Sequence, residues 1–238
     1  MTGTIINFFA VIFGSLLGLG LGKFFPQRAR NTIVAGLGLF TAAIGIKMFL
    51  ETQNELIVLG GLLLGGLVGE YLKIETWLSR LGERLEKRFT KNSDSGSGIQ
   101  SRFVRGFLTS SLVFCVGPMA IMGALQDGLE GNYQTLAIKS VLDGFASFAF
   151  SSTLGVGVIF SAPMVLFYQG GISLLAAQLQ NIMTPAMTTE MTATGGVILL
   201  GLAISSLLEI KEIRVANFLP GLVISPLIVA LLIAFGVK

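Results

Sequence analysis

The chain has no histidine, one cysteine and few charges, and each shortage removes a class of function. Without histidine there is no imidazole to act as the base of a nucleophilic triad or to ligate zinc. A single thiol, Cys115, set inside an apolar run, excludes an intrachain disulfide and a Cys/His metal cluster. Charged residues are 12% of the 238, whereas hydrophobic residues are 53%; soluble domains carry roughly twice that charge. The interior of a water-soluble domain does not take up so much apolar side chain. The composition is that of an integral membrane protein.

The net charge of +3 does not point to nucleic acid, because Lys and Arg are confined to a few segments between apolar runs. The expected partners are the lipid bilayer, a small ion or solute and, through its glycine faces, a second copy of the chain in a homo-oligomer (dimer). No nucleic acid, metal or cofactor is expected. With no basic residue before Lys23 and an apolar run longer than that of a signal peptide, the first segment reads as a retained helix.

A hydrocarbon core of about 30 Å takes roughly 20 helical residues. Apolar runs of that order lie near 4–22, 33–50, 56–73, 103–124, 194–209 and 217–237, and 133–180 is one long apolar stretch containing Lys139 and Asp143. This stretch fits two helices turning near Gly155, Gly157 and Pro163, or one helix and a re-entrant segment. Charge distribution favours two. With two helices there, segments 23–31, 70–105 and 209–216, which hold 13 of the 16 Lys and Arg, fall on one face. With one, Lys211 and Arg214 join the acidic face of Glu51, Glu55, Asp127, Glu130 and Glu190, against the positive-inside tendency. The resulting topology has about eight transmembrane helices, cytoplasmic basic loops and both termini outside.

The chain also resembles itself. Residues 8–26 match 145–163 at an offset of 137, pairing Phe8 with Phe145, Phe13 with Phe150, Gly18 with Gly155, Gly20 with Gly157 and Pro26 with Pro163. The register continues with Gly36 to Ala42 over Gly171 to Ala177, and with Gly60 to Ile74 over Gly196 to Ile210. The expected fold is therefore an all-α polytopic bundle of two parallel four-helix repeats. Its parts are 1–74 (the first three helices), a cytoplasmic insertion 75–101, 102–124 (the fourth helix) and 133–238 (the second repeat). In the insertion, Trp77, Leu78, Leu81, Leu85 and Phe89 recur near helical spacing between charges, which predicts an amphipathic helix on the membrane surface. Asn92 to Gly98 reads as a flexible linker.

Ionisable side chains in a bilayer are costly, and each is a functional hypothesis with a partner to find. Lys139 and Asp143 stand four apart and can pair, and the same step continues through Ser147, Ser151 and Gly155. This stripe lines a solute or ion path, or it is a structural ion pair beside small packing residues. Gln169, Gly170 and Gly171 mark either a break in the sixth helix or a packing site. Asp127 reads as an outer-loop carboxylate that gathers cations or is simply solvated. Pro118, Pro220 and Pro226 predict kinks in the fourth and eighth helices. Gly14, Gly18 and Gly22, and again Gly61, Gly65 and Gly69, are four-spaced packing faces whose partner lies in the same chain or another. Asn7, Asn217 and Glu70 read as interfacial groups near helix ends.

The segments GTIINFFAVIFGSLLGLGLG, VGPMAIMGALQDGL and KSVLDGFASFAFSSTLGVGVIFSA, with YQGG, resemble the bacterial inner-membrane family known as domain of unknown function 554, the YqgA/YdfK-like proteins. The resemblance spans nearly the whole chain. It implies a multi-pass protein of a bacterial cytoplasmic membrane and no particular activity or site. The residues favour a small transporter or channel, moving a small cation or neutral metabolite between the repeats. An accessory protein docking partners or lipid through the basic helix is the alternative. An intramembrane enzyme using Asp127 and Asp143 ranks last, because few acid and base groups are present; no catalytic residue is expected.

Overall fold

We analysed a computed structural model of the protein, which describes residues 1–22, 24, 26–89, 102–180 and 182–235. The linker expected at 92–98 lies outside the described residues. Those residues form helices and no strand. In chain order the helices are α1 (Thr2–Gly22), α2 (Gln27–Phe49), α3 (Glu55–Leu72), α4 (Ile74–Phe89), α5 (Arg102–Cys115), α6 (Pro118–Leu129), α7 (Gln134–Leu154), α8 (Ser161–Leu174), α9 (Ala176–Gln180), α10 (Pro185–Leu202) and α11 (Gly221–Ala234).

Among the described residues, six helical segments are long and apolar enough to cross a membrane, and the bent pair α5–α6 makes a seventh if counted as one span. Helix α7 has 21 residues and so the same reach, but it carries Lys139 and Asp143. The stretch 133–180 holds two long helices, separated at Gly155, whose φ of +87° suits a residue without a Cβ.

Burial in α1 runs opposite to that of a soluble helix. Its buried residues are Gly3, Thr4, Asn7, Val11, Gly14, Ser15, Gly18 and Gly22, while Phe9, Phe13, Leu16, Leu17 and Leu21 are exposed. Apolar surface costs nothing in lipid, so a membrane helix turns its large side chains outward and packs through small ones. The buried positions recur at alternating steps of three and four, the seam on which two helices stay in contact.

The chain divides into two compact units. The first comprises Met1–Gly36, Leu78–Cys115 and Met119–Leu179; the second comprises Leu37–Trp77, Val116–Pro118 and Gln180–Lys238. Each draws on both halves of the sequence.

In the first unit, α1 and α7 run parallel and in contact. A Cβ on Gly14 would stand 2.2 Å from the Gly144 carbonyl oxygen, and one on Gly18 would stand 2.2 Å from that of Phe148. Gly22 likewise abuts the Ser152 backbone. The axis of α6 turns 60° from that of α5. Helix α4 packs on α5, with Leu78 buried and Gly82 against Val104 and Phe107, so part of the apolar face expected to lie on lipid is covered by protein. Trp77 and Phe89 on the same helix stay exposed.

In the second unit, α3 and α11 run antiparallel, Gly61 against Ser225, Gly65 against Gly221 and Gly69 against Asn217. Gly45 of α2 meets Gly196 of α10 in the same way. Helix α10 begins nine residues before the apolar run at 194–209, at a Thr184 cap followed by Pro185. Glu190 hid this start in the sequence. Its carboxylate is buried and accepts bonds from the Thr52 hydroxyl at 2.6 Å and the Gln53 amide at 2.8 Å.

Of the three prolines expected at kinks, Pro118 opens α6 at the 60° bend from α5, Pro220 caps α11, and Pro226 lies inside α11; at a helix start the missing N–H leaves no bond unmade.

Replacing Gly18 with leucine should force α1 off α7 and cost more than about 3 kcal/mol, in the range of severe overpacking. Gly20, where nothing lies within 4 Å of the place a Cβ would take, should accept leucine freely. Thermal unfolding of the two variants in detergent, read by size-exclusion chromatography, separates them; equal behaviour refutes the contact.

Candidate functional site

The stripe expected on α7 is buried: Lys139 and Asp143 are 6% and 8% exposed, Ser147 and Ser151 no more than 1%. Lys139 Nζ pairs with Asp143 Oδ2 one turn along the helix. Spacing alone anticipated that pair, but not what surrounds it.

Asn7 of α1, fully buried, donates from Nδ2 to Asp143 Oδ2 at 2.9 Å and to Gln169 Oε1 of α8 at 3.2 Å. Three helices thus meet at one amide. Parallel packing in register makes this possible: Asn7 lies beside Asp143 and Ser15 beside Ser151, both pairs 136 residues apart, and Ser151 donates to the Ser15 carbonyl at 3.0 Å.

The cluster is only partly satisfied from within. Thr4 Oγ1, Asn7 Oδ1, Ser147 Oγ and Gln169 Nε2 are buried and have no hydrogen-bond partner among the described residues. Most buried polar atoms in folded proteins are paired, and a group of four around an ion pair fits contact with water, an ion or a polar solute. The free groups are three oxygens and one amide donor, suited to a small cation or to a neutral molecule with a donor and an acceptor. Along α7, Asp143 to Ser151 spans about 12 Å at 1.5 Å per residue. There the stripe reaches a cavity of about 330 Å³ lined by Ser151, Ser152 and Gly155. Cys115, at the end of α5, lies within electrostatic reach of both Lys139 and Asp143.

Other sequence candidates fall elsewhere. Helix α8 is continuous through Gly170 and Gly171, so the break considered there does not occur. Gly170 is instead a packing position, where a Cβ would lie 3.1 Å from Met1. Asp127 is not in a solvated loop; it is on α6 and 3% exposed. Its Oδ2 accepts from the Gly3 amide at 3.0 Å and its Oδ1 lies 3.2 Å from the Met1 amino group, a favourable seat for a carboxylate at the start of α1. Asp127 is thus engaged with α1 rather than with Asp143, and among the described residues no three His, Cys, Asp or Glu side chains converge as a metal site.

Asn7 is the residue whose role the sequence did not disclose. Its signal was its place on the seam with Gly3, Gly14 and Gly18, which marks it as inward-facing. In the second unit Asn217 is likewise buried, accepting from the Glu75 amide at 2.8 Å and donating to Glu70 at 2.6 Å, while Glu70 also pairs with Arg214 at 2.7 Å. These groups lace a helix corner together.

Removing the Asn7 side chain with N7A should lower stability by about 1.5–3 kcal/mol, the range for hydrogen bonds to a charged group. Leu16→Ala on the exposed face should change it by less than about 0.5 kcal/mol. Thermal unfolding in detergent measures both; an unaffected N7A protein argues against the three-helix cluster.

Comparison with known proteins matches nearly the whole sequence to uncharacterised relatives. The chain is 28% identical over 242 residues to "Uncharacterized membrane protein YdfK" of Bacillus subtilis (strain 168), covering 100% of both chains. It is 29% identical over 223 residues to "Uncharacterized protein YqgA" of Escherichia coli (strain K12), covering 94% of both. No solved structure matches it. The profile of the family described as "Protein of unknown function (DUF554)" matches residues 2–230, and the chain belongs to that family as a multi-pass membrane protein.

Proposed function

We propose that the protein is a small secondary transporter or channel of a bacterial inner membrane, moving a small cation or a small neutral metabolite past the Asn7, Lys139, Asp143 and Gln169 cluster. One observation carries this reading: four buried polar atoms on the helices that bring Asn7, Asp143 and Gln169 together, beside an ion pair, have no partner among the described residues. Evolution keeps intramembrane charge at a cost, and its usual use is an ion or solute pathway. A cation entering the cluster competes with Lys139 for Asp143, while a neutral solute uses the free oxygens and the Gln169 amide. The balanced charge gives an anion no surplus attraction. No bond-making chemistry enters this reading, in which the protein is not an enzyme.

The proposed topology counts α7 as the eighth span, with both termini outside and the basic loops in the cytoplasm. The helix directions support it, since α1 runs parallel to α7 while α3 and α2 run antiparallel to α11 and α10. The similar segments at an offset of 137 begin on α1 and α7, the two helices that pack in parallel, which supports the duplication. In this reading the path lies between the repeats, Asn7 coming from the first and Lys139, Asp143 and Gln169 from the second.

In a Cys115→Ser background, Arg28→Cys and Glu212→Cys should resist an impermeant maleimide in spheroplasts, and Glu130→Cys should react. Labelling of all three alike rejects the topology.

Transport is tested with proteoliposomes under imposed sodium, potassium or pH gradients, read with an internal pH dye, and by swelling assays with small neutral solutes. Lys139→Met with Asp143→Leu removes the pair without leaving a lone buried charge, so this variant should fold, whereas Asp143→Asn alone should cost about 3–5 kcal/mol. Wild-type vesicles should dissipate one of the gradients, and the folded double variant should match empty vesicles. Undiminished flux in that variant makes the pair structural.

A further inference from the structure

The cavity at the end of the α7 stripe carries a chemistry of its own. Its volume is about 330 Å³, and it lies within the first unit between the ends of α1 and α7 and the starts of α2 and α5. Leu19, Phe103 and Leu154 make its apolar wall, and Arg30, Arg102 and Glu86 bring charge to it.

Both arginines are held in place by the chain. Arg30 donates from Nη2 to the Gly22 carbonyl at 2.7 Å, at the end of α1. Arg102 donates from Nε to the Thr153 carbonyl at 2.9 Å, near the end of α7, and from Nη2 to the same oxygen. Helix C-termini carry partial negative charge and favour cations there. Capping does not exhaust a guanidinium, which has five N–H donors. Arg30 Nε is buried and has no hydrogen-bond partner among the described residues.

Charge at this end of the unit is concentrated. Arg30 and Arg105 both lie within electrostatic reach of Arg102. Arg30 and Arg102, held beside an apolar wall, suit an anion that also brings apolar surface. A guanidinium presents a planar fork that matches phosphate oxygens, and it arrives already oriented. The volume is at the lower end for ligand sites and suits a headgroup, leaving acyl chains outside, along the lipid-facing helices.

We propose that this cavity binds the phosphate group of an anionic phospholipid, held by Arg30 and Arg102. The site is independent of the transport reading, because binding needs neither Asp143 nor any flux. Glu86 on the wall opposes the phosphate and weakens the site.

The experiment uses the full chain in a neutral detergent, with dioleoyl-phosphatidylglycerol, dioleoyl-phosphatidylcholine or sn-glycerol 3-phosphate as probes. Native mass spectrometry counts bound molecules and thermal unfolding reads the stabilisation. Phosphatidylglycerol should remain bound and raise the Tm, and phosphatidylcholine should not. Arg30→Gln with Arg102→Gln should weaken phosphatidylglycerol roughly tenfold, the loss expected for charge-assisted hydrogen bonds. Because that variant also removes two helix caps, two gentler variants keep the test decisive. Arg30→Lys with Arg102→Lys retains the charge without the fork and should weaken binding roughly threefold. Glu86→Gln leaves both arginines in place and should tighten it by a similar factor. If sn-glycerol 3-phosphate stabilises as well as the lipid at equal concentration, the phosphate site stands and the lipid as its source is rejected. Equal retention of the two lipids, or binding unchanged in the folded lysine and Glu86→Gln variants, overturns the proposal.

Discussion

The first unit depends on how closely α1 approaches α7. At Gly14 and Gly18 the two backbones touch, with no room for a Cβ. That approach draws Asn7 to within 2.9 Å of Asp143 and lets Ser151 bond across to the Ser15 carbonyl. Larger residues on the seam would hold the helices apart and leave Lys139 and Asp143 paired only with each other. In lipid, where burying apolar surface gives little drive for helix association, small residues and polar contacts must supply the adhesion. The same contact therefore serves both the fold and the site.

The second unit follows the same rule with different fittings. Gly61, Gly65 and Gly69 admit α11, and the polar groups that come into contact serve structure. Glu190 receives the turn before α3, and Asn217 with Glu70 and Glu75 secures a corner. Buried carboxylates are thus of two kinds here. Asp127 and Glu190 accept backbone amides at helix ends or turns, a role that accounts for them. Asp143 faces side chains only, in company with atoms that lack partners. This contrast, rather than charge alone, singles out the α1, α7 and α8 cluster.

Much of this was legible in the sequence, in uneven measure. The four-step spacing of Lys139, Asp143, Ser147 and Ser151 is a helical face whatever the tertiary fold, because it follows from 3.6 residues per turn. Gln169 stands out for the glycines beside it, yet α8 does not break there, since Gly170 fills its role by packing near Met1. Asp127 looks like a loop residue because QDGLEGN carries turn formers, and only the proximity of the α1 N-terminus makes its burial favourable. Pro118 marks the 60° bend between α5 and α6, whereas Pro220 caps α11; an apolar run does not reveal where a helix begins.

By itself the sequence determined the solvent. A chain with so few charges, no histidine and long apolar runs belongs in a bilayer as helices, because hydrocarbon leaves backbone groups no other partner. It also determined which residues share a helical face, since that is a matter of local geometry. Tertiary structure alone decided which faces meet. Asn7 lies 136 residues from Asp143 and 162 from Gln169, and Arg30 and Arg102 share a cavity formed by the ends of different helices. Contacts of that range depend on helix direction, register and the closeness that glycine permits, quantities that no local pattern contains.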